Sequence, residues 1–169
     1  EMDYVIAKKA FDKYLERFRN GIFINDAIYY HAISALNTGD TMAAVMSYVK
    51  IIQDSLPDHQ EPSLIFLARK NYSSNDYKES NIYYTMLLDI ASSNSIKRES
   101  IIRLMIGNEY IDKVLSLQYA KQEIEFDKID NWLLSKAYII IARNEFDSGN
   151  YAKSKFTFER IIKLSDYDE

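Results

Sequence analysis

The chain has 169 residues, enough for one compact domain or a short run of repeats, and its 47% hydrophobic and 27% charged content excludes a disordered chain. Only 4 glycines and 2 prolines punctuate it, far below the roughly 12% of average usage, so neither the turns of a β-sandwich nor the phosphate turns of a Rossmann fold are supplied; the fold class is all-α. A formal net charge of −4 excludes the basic stripe that non-specific nucleic-acid binding requires.

Taken in chain order, apolar residues recur at helical spacing over nine segments, near 4–18, 25–37, 41–55, 61–73, 77–91, 96–109, 113–126, 132–147 and 151–164. Ala7, Phe11 and Tyr14 share a face of the first, and Ile28, His31, Ala32 and Ala35 a face of the second. Ala44, Tyr48, Ile51 and Ile52 follow in the third, then Leu64, Leu67 and Ala68, then Ser80, Tyr84, Leu87 and Leu88. Near the end come Tyr138, Ile141 and Ala142, and finally Ser154, Phe158, Ile161 and Ile162. The linker 56–62 holds both prolines, and 92–99 and 126–131 are the other long junctions. None is long enough to separate domains, so residues 1–169 are expected to form a single repeat domain.

A marker recurs between these helices: Gly39-Asp40, Asn75-Asp76, Asp112-Lys113 and Gly149-Asn150, with intervals of 36, 37 and 37 residues between their first members. Glycine and asparagine tolerate the left-handed backbone of a helix C-cap, so each marker reads as the turn of a helical hairpin. Hairpins of this period, close to 34 residues, read as a stacked array. The repeats lie at about 25–60, 61–95, 96–131 and 132–169, preceded by an orphan second helix over 1–20 whose turn falls at residue 3. Opening in mid-repeat, the sequence reads as a fragment of a longer chain.

The run from Asp26 to Ile52 resembles a tetratricopeptide repeat. That family's two small positions fall here on Ala32 with Ala44, Ala68 with Ser80 and Ala142 with Ser154, and its later aromatic on Tyr48, Tyr84 and Phe158. Small residues let two helix axes approach, and the aromatic fills the groove beside them. The third copy departs from the register: Met105 and Leu117 occupy its small slots, and a one-residue shift brings in Ser116 and Ala120, so an irregularity is expected around 107–113. The resemblance implies a right-handed α-solenoid of about nine helices. Residues 8–36 also resemble the layout of the outer-membrane β-barrel assembly lipoprotein and its relatives, which implies a bacterial envelope setting, periplasmic or outer-membrane-associated.

Little in the sequence carries chemistry. With no cysteine, thiolate metal sites, disulfides and Cys nucleophiles are excluded. The longest apolar run, Ala137 to Ala142, falls far short of the roughly 18 residues of a membrane span. No Walker loop, G-x-S-x-G, H-E-x-x-H or EF-hand motif occurs. His31 reads as a core histidine bonded to a neighbour, and His59, beside Asp58 and Glu61, as part of a solvated loop. Most of the 14 tyrosines fall at turn or packing slots; Tyr77 and Tyr151 among them are expected to bury their rings, and the pairs Tyr29-Tyr30 and Tyr83-Tyr84 to place one ring inward each. Glu123 and Glu125, two apart on a helix, face different ways. No enzyme activity, metal or cofactor is expected.

By resemblance, the first helix of each pair lines a concave groove. Carried over by position, the groove residues are Tyr29, Ile33, Arg69, Tyr72, Ile102, Ile106, Arg143 and Phe146. Exposed apolar and aromatic groups mixed with arginine are the interface-enriched types, and a guanidinium grips carboxylates in a forked geometry. The carboxylate clamp by which some relatives hold chaperone tails does not carry over, because Tyr29, Ile33, Phe66 and Glu99 stand where it needs Lys and Asn. The expected function is a non-catalytic protein–protein interaction module for a peptide or partner protein with acidic groups; the alternative is a spacer or assembly scaffold segment of an envelope lipoprotein. Uncovered apolar ends are expected to give weak self-association.

Overall fold

A computed structural model describes residues 3–126 and 128–165. Among them the chain is all-helical: α1 (Tyr4–Arg17), α2 (Ile24–Asn37), α3 (Thr41–Gln53), α4 (Pro57–Ser73), α5 (Tyr77–Ile90), α6 (Asn94–Gly107), α7 (Lys113–Glu123), α8 (Asn131–Asp147) and α9 (Tyr151–Ser165). Packing divides the chain into two compact units, Glu1–Ser74 and Asn75–Glu169. Within each unit consecutive helices pack on one another, and in the first α2 also touches α4.

The turn chemistry is that of the markers. Gly39, Asn75 and Gly149 all have positive φ, at 81°, 60° and 77°, the left-handed conformation that ends the preceding helix. Asp40 and Asp76 then cap the next helix by accepting from the backbone N–H of Ala43 (3.1 Å) and Glu79 (3.2 Å). Asp3 caps α1 and Asp112 caps α7 in the same way, although the turn before Asp112 holds no left-handed residue and runs over 108–112.

In the first unit the core is built where small residues face each other. Ala32 and Ala35 of α2 and Ala44 of α3 are fully buried, with Ile28, Tyr48 and Ile51 around them and Leu64, Leu67 and Ala68 of α4 inside as well. α1 contributes no fully buried side chain. Polar links and rings hold it instead: Lys8 to Asp40 at 3.0 Å, Asp12 to His31 at 3.0 Å, and the ring of Phe11 against Tyr30 at 6.2 Å. His31 is buried as expected, and both its nitrogens are engaged, Nε2 on Asp12 and Nδ1 on Ser47 Oγ at 2.8 Å. One imidazole thus ties α1, α2 and α3.

In the second unit Tyr83, Tyr84 and Leu87 of α5, Leu104 and Met105 of α6, Tyr119 and Ala120 of α7, and Ala137, Ile141 and Ala142 of α8 are buried. Tyr83 and Tyr84 are therefore both inward, where one was expected to turn to another face. Tyr77 is half-buried and donates to Asn75 Oδ1 at 2.9 Å. Tyr151 is 63% exposed instead of packed. Its slot lies at the start of α9, where Phe146 meets it edge-on at 5.1 Å.

One element boundary needs correction. The segment 56–62 was expected to be a linker broken by its prolines, but α4 begins at Pro57 and carries Pro62 within it. Proline at the first helical position has no N–H to lose and a φ already suited to the helix, so Pro57 starts α4 instead of delaying it. α4 and α8 are each 17 residues long against 14 for α2 and α6, and the surplus is an extra N-terminal turn.

Candidate functional site

That extra turn matters in both units. On α4 it carries His59, which is not in a solvated loop: its ring lies flat on Tyr29, centroids 4.2 Å apart and 3° from parallel, and its Nε2 meets Asp26 Oδ1 at 2.8 Å. Tyr29, expected on an open groove, is consequently half-buried between His59 and the edge of Tyr48. Ile33 and Tyr72 are half-buried and Arg69 is exposed. The four groove residues of the first unit thus include one, Tyr29, whose face is already covered by the chain itself.

On α8 the extra turn carries Trp132, the single tryptophan, which is 69% exposed. It stands at the mouth of a cleft of about 1340 Å³ between α6 and the start of α8, with Ile102 and Ile106 among the lining residues. Two expected groove residues therefore do line a cavity. Lys97 and Arg98 of α6 and Lys128 lie at its rim together with Glu99 and Asp130.

Arg98 is fixed from behind. Its Nε and Nη2 both donate to Glu123 Oε1, at 3.2 and 2.9 Å, and its guanidinium lies 4.9 Å from the Phe126 ring centroid. Glu123 is fully buried, so α7 holds a carboxylate in the interior, and Arg98 is its cationic partner. Glu99 accepts from the Tyr84 hydroxyl at 3.2 Å. The rim is thus partly committed to internal pairs, and its lysines are the extended charges.

Arg143 is 64% exposed at its side chain, but its Nη1 donates to Glu109 Oε1 at 3.2 Å, and Lys136 Nζ lies 2.6 Å from the other oxygen of the same carboxylate. The guanidinium expected to grip a partner's carboxylate already grips one of the chain's own. Phe146 is 57% exposed and paired with Tyr151.

Trp132, Phe126 and Arg98 were not singled out from the sequence. Trp132 stands at the first position of the expected helix 132–147 and repeat 132–169, and its being the sole tryptophan was the only signal that set it apart. Among the described residues no group of three or more His, Cys, Asp or Glu side chains is placed to hold a metal ion, and no helix is long and apolar enough to cross a membrane. No family model, curated protein or solved structure matches the chain.

Proposed function

We propose that the chain is a non-catalytic protein-interaction module, a right-handed helical array of the tetratricopeptide type, that receives a segment of a partner protein in the cleft between α6 and α8. The observation that carries this reading is Trp132, 69% exposed beside the Ile102 and Ile106 floor. Exposed tryptophan next to aliphatic floor residues is costly to leave in water and is the residue type most enriched among binding hot spots. Lys97 and Lys128 of the cleft lining favour a partner segment with acidic groups, whereas Arg143 is outside that lining and paired with Glu109. A photo-crosslinking residue placed at position 132 is expected to trap the partner, and one at Lys50, on α3, is not. Equal trapping from both positions contradicts the reading.

A second reading, a scaffold segment of a bacterial envelope lipoprotein, draws on the exposed apolar residues of α9. The aromatic slot of the first two hairpins meets the next first helix: Tyr48 lies against Phe66 of α4 at 4.7 Å, and Tyr84 reaches Glu99 of α6. At the same slot on α9 Phe158 is 40% exposed, and Ile162, one turn further on, is 60% exposed. These residues suit contact with a further repeat or a second copy, the source of the expected self-association.

A further inference from the structure

Another cavity has a different chemistry. It lies in the first unit between α1 and α2, measures about 390 Å³, and is lined by Ala10, Phe11 and Tyr14 of α1 and by Phe23, Asp26, Ala27 and Tyr30 at the start of α2. Four aromatic rings and one carboxylate therefore surround a single cup whose lining contains no lysine or arginine.

The rings are held in place by the fold. Phe11 and Tyr30 stack 21° from parallel with centroids 6.2 Å apart, and Tyr29 meets Tyr30 edge to face at 5.5 Å. The loop before α2 closes over Tyr14 because Gly21 has no side chain: a Cβ there would meet the Tyr14 hydroxyl at 2.5 Å. Phe23 and Tyr30 are 59% and 48% exposed, so the cup is open on one side. Asp26 is anchored by His59 through one oxygen.

Aromatic faces carry partial negative charge and attract cations that are large and weakly hydrated; the Asp26 carboxylate, held by His59 at Oδ1, adds an acceptor at the rim through its other oxygen. A neutral apolar ligand would gain nothing from Asp26, and an anion would meet both the ring faces and the carboxylate with repulsion. We propose that this cup binds an alkylammonium cation, with the rings of Phe11, Tyr14, Phe23 and Tyr30 around the N-alkyl groups and Asp26 as counter-ion. The site is independent of the cleft on α6 and α8, and it stands whether or not that cleft receives a partner.

The test uses the whole unaltered chain and two isosteres, choline and 3,3-dimethylbutan-1-ol, in which carbon replaces the charged nitrogen. Each is titrated and its methyl proton signal followed by NMR. Choline is expected to bind saturably, with a dissociation constant on the order of millimolar and an upfield ring-current shift, and the neutral isostere at least about tenfold more weakly. Equal binding of the two, or no saturable shift with choline, overturns the proposal, and neither result depends on a variant that must fold. Asp26→Asn and Tyr30→Leu are each expected to lower choline affinity by about fivefold or more, with far-UV circular dichroism unchanged; affinity unaltered in both overturns it as well. A trimethyllysine peptide in parallel identifies the source. Binding about tenfold tighter than choline assigns the cation to a protein side chain, and binding no tighter assigns it to a free small molecule, each outcome supporting the cationic chemistry.

Discussion

Ser116 Oγ donates to the carbonyl oxygen of Met105 at 2.8 Å, eleven residues back along the chain. In the last hairpin Ser154 Oγ makes the same bond to Ala142 at 2.9 Å, twelve residues back. The third hairpin is thus one residue shorter between its crossing positions than the fourth. That single missing residue is why Met105 and Ser116, and not Met105 and Leu117, meet where α6 and α7 cross. Both serines are essentially fully buried, and their hydroxyls find partners on the facing helix, which a buried polar group requires.

The same crossing in the first hairpin is made by Ala32 and Ala44, both with no exposed surface. Ala44→Leu is therefore expected to overpack it and to cost on the order of 1–3 kcal/mol. Urea denaturation measures this directly. An unchanged midpoint would mean that the α2–α3 crossing has room that its zero exposure denies.

Removing one member of the Arg98–Glu123 pair is expected to be worse than removing both. Arg98→Ala leaves a buried carboxylate without its cation, a loss of about 3–5 kcal/mol, and the double replacement Arg98→Met with Glu123→Leu recovers most of it. Thermal melts of the two variants check the order. A double variant less stable than Arg98→Ala would show that the charge is not what the interior is holding.

Burial pushes the phenols of Tyr48 and Tyr83 up to about 12, with the Glu79 carboxylate adding to the effect on Tyr83. A folded value above the unfolded value of about 10 means that the stabilisation is fully present below pH 10 and is lost as pH rises through 12. Phenolate absorbance is expected to show a late-titrating fraction near pH 12 that shrinks in Tyr48→Phe, and denaturation midpoints should fall only above pH 10. A midpoint that falls between pH 8 and 9 would assign the loss to other groups.

Much of this architecture was readable beforehand, because local chemistry repeats. The left-handed turn residues Gly39, Asn75 and Gly149 and the capping Asp3, Asp40, Asp76 and Asp112 occupy fixed offsets, and small residues mark the crossings. What was missed lies in contacts between helices that no spacing encodes. Pro57 looked like a breaker and is a helix start, so the extra turn bearing His59 was placed in a linker, while Trp132 was placed at the start of its helix with nothing in the spacing to assign it to a cleft. Asp12, His31 and Ser47 sit on three different helices and meet only after packing. Arg143 was assigned to a partner because the carboxylate that holds it, Glu109, is 34 residues away.

The central claim is that the cleft on α6 and α8 receives a partner segment. Its most direct measurement is capture from an extract of the source cells, comparing the unaltered chain, a Trp132→Ala/Ile102→Ala variant, and a Lys50→Glu/Lys163→Glu variant, each verified as folded by circular dichroism. The account predicts that the specific partner is retained by the unaltered chain and the lysine variant and is lost, or falls by about tenfold or more, with the cleft variant. Retention by the cleft variant together with loss by the lysine variant would contradict it and move the working surface to the faces of α3 and α9.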